Sequence, residues 1–272
     1  MGKQHSPSRF LIMGVVNVTP DSFSDGGKAF GVEAARDSAL RLMADGADLI
    51  DFGAESTRPG AKPVPVDMEL QRLIPVLEAM KSEIPLEKIS VDSRKDKVFA
   101  EAARSGVRWF NRVGDLPDPA LMRELAGLGD TAHLAMTHMH GAPETMQEIP
   151  LGAGEVVGLV ERFFQEVHDA TCAAGFRAGQ IWMDPGVGFG KSLAANLELL
   201  GNIRTWAGDY NVMIGVSRKS FLGRLFGIDR PLDRDQPGKA IEAMCALAGA
   251  RIIRTHDVQG LAVIRNRMME AN

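Results

Sequence analysis

Apolar residues in this chain come in short, nearly continuous runs separated by longer stretches of helical period. The runs are Phe10 to Asn17, Asp48 to Gly53, Ile89 to Asp92, Trp109 to Asn111, His133 to Met139, Ile181 to Asp184, Val212 to Ser217 and Arg251 to His256. Continuous hydrophobicity, as opposed to alternation, is what the strands of a parallel sheet need, because helices cover their outer face. Helical patterns lie between them at Glu33 to Ala44, Met68 to Lys81, Lys95 to Arg104, Pro119 to Ala126, Glu155 to Ala174 and Leu193 to Trp206. Two more units follow, Ser220 to Phe226 continued in Lys239 to Ala248, and Leu261 to Met269. Glycine closes four of these helices just before a strand, at Gly46, Gly106, Gly175 and Gly249, where it is the expected helix stop. With no Ser- or Pro-rich linker, the alternation predicts one α/β domain over residues 1–272, a single (β/α)8 barrel. An open doubly wound sheet is the alternative, and eight similar units favour closure because it leaves no strand edge.

Composition narrows the partners. Lys plus Arg number 31 and Asp plus Glu 35, a balance of 31 − 35 = −4, which offers no footprint for nucleic acid. No apolar run reaches the roughly 18 residues of a membrane span, and the polar start Met1 to Arg9 lacks a signal peptide's apolar core. Met1-Gly2 through Ser6 fits the loose myristoylation pattern, but a predicted strand begins almost at once, so the match reads as chance. Cys172 and Cys245 stand in separate helical patterns, which suggests neither a disulfide nor a zinc site and suits a reducing cytoplasm. His5, His133 and His140 have no companions at metal spacing and read as surface or core histidines, and the 14 methionines as core filler. A small-molecule ligand is the expectation.

Polar residues gather at the C-terminal end of nearly every predicted strand: Asn17, Asp51, Asp92, Asn111, His138, Asp184, Ser217 to Lys219, and Arg254 with His256. In a barrel these ends converge on one mouth. Any one of them is more simply a strand-end hydrogen bond or a helix cap, but eight together mark a site. Two long polar loops lead from the first two strands, Asn17 to Gly27 and Glu55 to Gly60, and carry an arginine and hydroxyls suited to clamping an anion. Asp184-Pro185-Gly186-Val187-Gly188-Phe189-Gly190-Lys191 follows the sixth strand, with glycines that permit close approach of backbone to a ligand.

These segments resemble the signature loops of the dihydropteroate synthases: Asn17-Val18-Thr19-Pro20-Asp21-Ser22-Phe23-Ser24-Asp25-Gly26 and Glu55-Ser56-Thr57-Arg58-Pro59-Gly60. Ser90-Val91-Asp92, Asp184-Pro185-Gly186 with Gly188 to Lys191, Ser217-Arg218-Lys219-Ser220 and Ile253 to Asp257 follow in the family's order, and the similarity spans residues 9 to 270. The resemblance implies a cytoplasmic, homodimeric transferase of folate biosynthesis and a sulfonamide target. It would join 6-hydroxymethyl-7,8-dihydropterin pyrophosphate to p-aminobenzoate, giving 7,8-dihydropteroate and pyrophosphate.

The chemistry this reaction demands matches residue types. A buried carboxylate can accept both N–H bonds of the pterin's flat donor edge, and Asp184 is the candidate. Asn111 offers donor and acceptor for the rest of the ring, Asp92 can bind another ring N–H and stabilise developing positive charge, and Lys219 can reach the carbonyl side. Phe189 and Gly215 complete the expected pterin pocket. Pyrophosphate needs cations, for which Arg58, Arg254 and His256 are the candidates, with Mg2+ held partly by Asn17. Catalytic weight is expected on Asp92, Lys219, Arg254 and His256. By the resemblance, p-aminobenzoate lies between Phe23 and Pro59, near Thr57, with its carboxylate at Ser220, where a helix start favours an anion. His138 resembles the family's Met-His segment and is expected near the pterin.

Three positions depart from the family pattern: Arg112 in place of Asp, Thr137 in place of an apolar residue and Ala54 in place of Gly. Strand alternation predicts that Arg112 points outward while Asn111 and Val113 point in, with Asp115 as its carboxylate partner. Two rival readings are a methyltetrahydrofolate–corrinoid methyltransferase, which has no pyrophosphate to bind, and a paralogue that binds pterin without turnover.

Overall fold

The structure, a computed structural model, describes residues 10–19, 28–56 and 60–271. Eight strands, β1 (Leu11–Asn17), β2 (Leu49–Gly53), β3 (Ile89–Ser93), β4 (Trp109–Val113), β5 (His133–Thr137), β6 (Ile181–Asp184), β7 (Asn211–Gly215) and β8 (Ile252–Thr255), pair in chain order, all parallel, and β8 closes on β1. The expected barrel is therefore the observed one. Its helices are α1 (Lys28–Ala44), α2 (Val66–Met80), α3 (Asp96–Ser105), α4 (Pro119–Ala126), α5 (Val156–Ala173), α6 (Leu193–Asp209), α7 (Ser220–Phe226), α8 (Asp235–Leu247) and α9 (Val258–Glu270). Gly46, Gly106, Gly175 and Gly249 all sit at φ between 106° and 110°, a backbone that a side chain would strain, which is why glycine stops these helices.

Alternation along each strand sorts side chains into two cores. Ile50, Phe52, Val91, Phe110, Leu134, Met183, Ile214 and Ile253 face outward and pack under the helices in the main core. Met13, Leu49, Trp109, Ala135, Trp182, Met213 and Ile252 form a separate apolar layer that plugs the barrel. The position two residues further along each strand lies on the same inner face, one layer nearer the C-terminal mouth. Those positions read Val15, Asp51, Asn111, Thr137, Asp184, Gly215 and Arg254. Sequence parity alone thus stacks a polar layer on an apolar one.

Below the plug, the His133 ring stacks on Trp109 with centroids 4.0 Å apart, and its Nδ1 accepts a hydrogen bond from Trp182 Nε1 at 3.3 Å. Burial pushes this imidazole down to about 4, so it stays neutral: His133 is a half-buried residue stacked under the plug, remote from the mouth. At the opposite end β5 stops at Thr137, two residues short of the expected Met139, because the chain turns aside after His138, whose N–H is still held by the Asp184 carbonyl at 2.9 Å.

Arg112 points outward, as parity requires, with its guanidinium carbon 6.0 Å from the Phe99 ring centroid. The expected carboxylate partner is corrected. Asp115 contributes only its backbone carbonyl, which accepts from Arg112 Nε at 2.8 Å, while the ion pair is made with Asp96 at the start of α3. Asp96 reaches Arg112 because β3 and β4 are neighbours and α3 begins just past the end of β3.

Candidate active site

Four inner-layer residues interlock. Arg254 Nε donates to Asp51 Oδ2 at 2.6 Å and its Nη2 to Asp92 Oδ2 at 2.8 Å; Asn111 Nδ2 donates to the same Asp51 oxygen at 3.0 Å. One guanidinium lies between two carboxylates, so Arg254 arrives at the mouth already largely neutralised. Burial pushes the Asp92 carboxyl up to about 7 against the pull of Arg254, with Asp51, Glu69 and Glu55 adding to the rise. Asp51 is fully buried and central to this group, yet strand-end position alone assigned it no role. Its signal in the sequence was a carboxylate on the inward parity of an otherwise apolar strand.

Across the mouth, Asp184 Oδ1 accepts the N–H of Gly186 at 2.7 Å. Burial raises this carboxyl, opposed by Lys219, the Gly186 N–H, Lys191 and Arg254. Lys219 donates to the Val187 carbonyl at 2.6 Å, lies 4.4 Å from the Phe189 ring centroid, and is pushed down to about 8 by burial. Its charge interacts with Asp184, Arg254 and Asp92, which brings both halves of the mouth within electrostatic reach.

Two of the glycines after β6, Gly186 and Gly190, lie against backbone of the β5 loop. A Cβ on Gly186 would stand 1.7 Å from the His138 carbonyl oxygen, so it is protein backbone that approaches closely here. Lys191, almost wholly buried, donates to the carbonyls of Gly186 and Phe189 at 2.9 Å each and of His138 at 3.3 Å. Burial pushes its ammonium down to about 7, while three acceptors around three N–H groups favour the charged form. Lys191 is a brace that welds the β6 loop to the β5 loop.

Gly215 ends β7 beside Arg254 in register, and a Cβ there would meet Arg254 only at ordinary contact distance. Past β7, Ser217 Oγ accepts the His256 N–H at 3.1 Å and lies 3.1 Å from its Nδ1, which joins the loops after β7 and β8. Lys219 takes the N-cap position of α7, so Ser220 is the helix's first residue and is exposed. Asn17 ends β1 opposite Gly53. Phe23, Thr57, Arg58 and Pro59 lie outside the described residues.

Asp51 Oδ1, Ser90 Oγ, Asp92 Oδ1, Asn111 Oδ1 and His138 Nδ1 are buried with no hydrogen-bond partner among the described residues. Desolvating such atoms is costly, so each leaves hydrogen-bonding capacity unmet. For a divalent cation the donor set is thinner. No group of three His, Cys, Asp or Glu able to hold a metal is present among the described residues. Asn17 offers one neutral oxygen, which fits Mg2+ only as an ion carried in by phosphate oxygens and water.

Residues 13–256 match the family model described as pterin binding enzyme. The Escherichia coli K12 dihydropteroate synthase is 40% identical over 250 residues, covering 91% of this chain and 86% of that protein. The Xanthomonas albilineans dihydropteroate synthase solved with 4-aminobenzoic acid superposes with a TM-score of 0.87 at 37% identity, covering 97% of this chain and 94% of that one. The same enzyme in complex with 7,8-dihydropteroate gives 0.83 at 34% identity, over 98% and 95%. A polar barrel mouth with unpaired acceptors, a family match over most of its length and relatives of one activity converge: this chain belongs to the pterin-binding enzymes and, among them, to the dihydropteroate synthases.

Proposed function

We propose that the mouth of this barrel carries out the family's condensation of a dihydropterin pyrophosphate with p-aminobenzoate through the residues named above. The observation that carries these roles is the set of unpaired buried acceptors, Asp51 Oδ1, Asp92 Oδ1 and Asn111 Oδ1, beside the Asp184 carboxylate. A pterin presents its 2-amino group and ring N–H along one flat edge, the donors such acceptors require. Asp184 accepts that edge; Asn111 and Asp92 hold the rest of the ring, with Lys219, Phe189 and Gly215 lining it. As pyrophosphate leaves the CH2, the ring gains positive charge, which the carboxylates of the Asp51–Arg254–Asp92 group stabilise. The aniline nitrogen of p-aminobenzoate then bonds to that carbon and loses a proton to solvent.

Leaving-group charge meets His256, Arg58 and the one Arg254 nitrogen, Nη1, that neither carboxylate engages. Mg2+ bound to pyrophosphate, with Asn17 as a ligand, would supply the remaining positive charge. Phe23, Thr57, Pro59 and Ser220 receive p-aminobenzoate in this reading. Excess EDTA should abolish turnover while leaving the affinity for a pyrophosphate-free pterin unchanged in calorimetry; full activity in EDTA removes the metal from the scheme.

Arg112, paired with Asp96 on the outside of the barrel, is compatible with catalysis. The parent should turn over, and Arg112→Asp should destabilise it by about 1–2 kcal/mol, because a nearly buried carboxylate then faces the partly exposed Asp96, whose charge water screens. Thermal melting checks the second half. An inactive parent rescued by Arg112→Asp would support the non-catalytic paralogue.

Assembly as a homodimer is supported by apolar side chains left exposed on adjoining outer elements: Phe226 of α7, Leu232 in the turn before α8, Met244 and Leu247 of α8, and Val263 of α9. No helix among the described residues is long and apolar enough to cross a membrane. A cytoplasmic setting, where thiols stay reduced, suits the free Cys172 and Cys245.

A further inference from the structure

Among the described residues Arg218 is the non-glycine with positive φ, at 59°. It is the third residue of a tight turn in which the Val216 carbonyl accepts the Lys219 N–H at 3.2 Å. A turn with positive φ at that position favours glycine, since a side chain there crowds the backbone. An arginine persists in such a conformation only when its surroundings over-determine it. Here they do so twice. Asp235, the first residue of α8, takes the guanidinium in a two-pronged pair, Nε to Oδ1 and Nη2 to Oδ2, both at 2.8 Å. From the other side, Arg234 Nη1 donates to the Arg218 carbonyl at 3.1 Å. What the turn aims is the site itself: Ser217, immediately before, holds the His256 N–H, and Lys219, immediately after, holds the Val187 carbonyl beside Asp184.

We propose that the Arg218–Asp235 pair is a positioning clamp, which holds the Val216–Lys219 turn in a backbone conformation that arginine would not otherwise keep and thereby sets Lys219 and Ser217 at the barrel mouth. This rests on the reading of Lys219 as a pterin-binding residue. Both clamp residues are assigned to act through the turn.

The test exploits the conformation. Asp235→Asn keeps the shape but loses the charged pair, so kcat/KM for dihydropteroate formation should fall roughly 10- to 100-fold, the span expected when a strained backbone is released. Arg218→Gly adopts positive φ without help and should stay within about threefold of the parent. The double variant should match Arg218→Gly, because glycine no longer needs Asp235. Rescue of this kind is not expected if Asp235 merely stabilises α8. Asp235→Asn with parent activity overturns the proposal, as does a double variant as impaired as Asp235→Asn, or one that fails to fold. Lys219→Ala, measured alongside, separates the two layers of the argument: parent activity there refutes Lys219 as a binding residue, whereas a crippled Lys219→Ala with an unaffected Asp235→Asn refutes only the clamp.

Discussion

An Asp184→Asn variant should lose about 100-fold or more in affinity for the dihydropterin while remaining folded. The asparagine has nearly the same volume, and its amide oxygen can still accept the Gly186 N–H that Asp184 Oδ1 now takes at 2.7 Å, so the β6 loop keeps its anchor. It cannot accept two ring donors at once, because its nitrogen presents hydrogens where the pterin does the same. A charge-assisted bond is worth roughly 1.5–3 kcal/mol; the amide loses one such bond outright and the charge assistance of the other, about 3 kcal/mol together, or roughly 100-fold. A second consequence follows from the surroundings. Asp184 lies within reach of the charges of Lys219, Lys191 and Arg254, and removing its own leaves those cations with less compensation in a buried site. Calorimetric titration with a pterin lacking pyrophosphate isolates this edge from the phosphate contacts. Parent-like affinity in that titration would remove Asp184 from its role.

How much of this was visible in the chain depends on range. The barrel was legible because each strand is a short apolar run of its own and each return helix has its own period, both local properties. Ser220–Phe226 and Pro119–Ala126 match the expected helices end for end, the latter with Asp118 as its cap. The polar layer was legible for the same reason: two residues beyond Trp109, Trp182 and Ile252 stand Asn111, Asp184 and Arg254. Pairing between distant elements was not. Arg112 found Asp96, 16 residues earlier, and not the closer Asp115, because β3 and β4 are neighbours in the barrel. Likewise nothing local to the β6 glycines announced that the His138 carbonyl, just past the end of β5, presses against Gly186, because that contact comes from the pairing of β5 with β6. Sequence names the groups that reach the mouth; which of them neutralise one another is a property of closure.

That neutralisation makes the loss of Arg254 costly to the fold. Arg254→Met removes the cation that separates Asp51, fully buried, from Asp92, nearly so. Breaking such a pair leaves uncompensated charge and typically costs about 3–5 kcal/mol; the arginine side chain here is 21% exposed, which places the expectation at the lower end. For a chain of this size that corresponds to roughly 10 °C in melting temperature. The pH dependence is the sharper test. In the parent the folded Asp92 carboxyl is raised to about 7, whereas unfolded it returns to about 3.9. Between those values the folded state binds more protons than the unfolded one, so Asp92 makes stability fall as pH rises through this window and level off above about 7. Arg254 works against that rise. Without it the folded carboxyl moves higher still, and the decline continues into alkaline pH. Melting curves of the parent and Arg254→Met from pH 6 to 9 should therefore draw apart as pH increases, and Arg254→Met combined with Asp51→Asn should close part of the gap by removing one of the two stranded charges. A gap of constant size across that range would show that Arg254 stabilises the barrel by packing alone and that the carboxylates at its mouth do not depend on it.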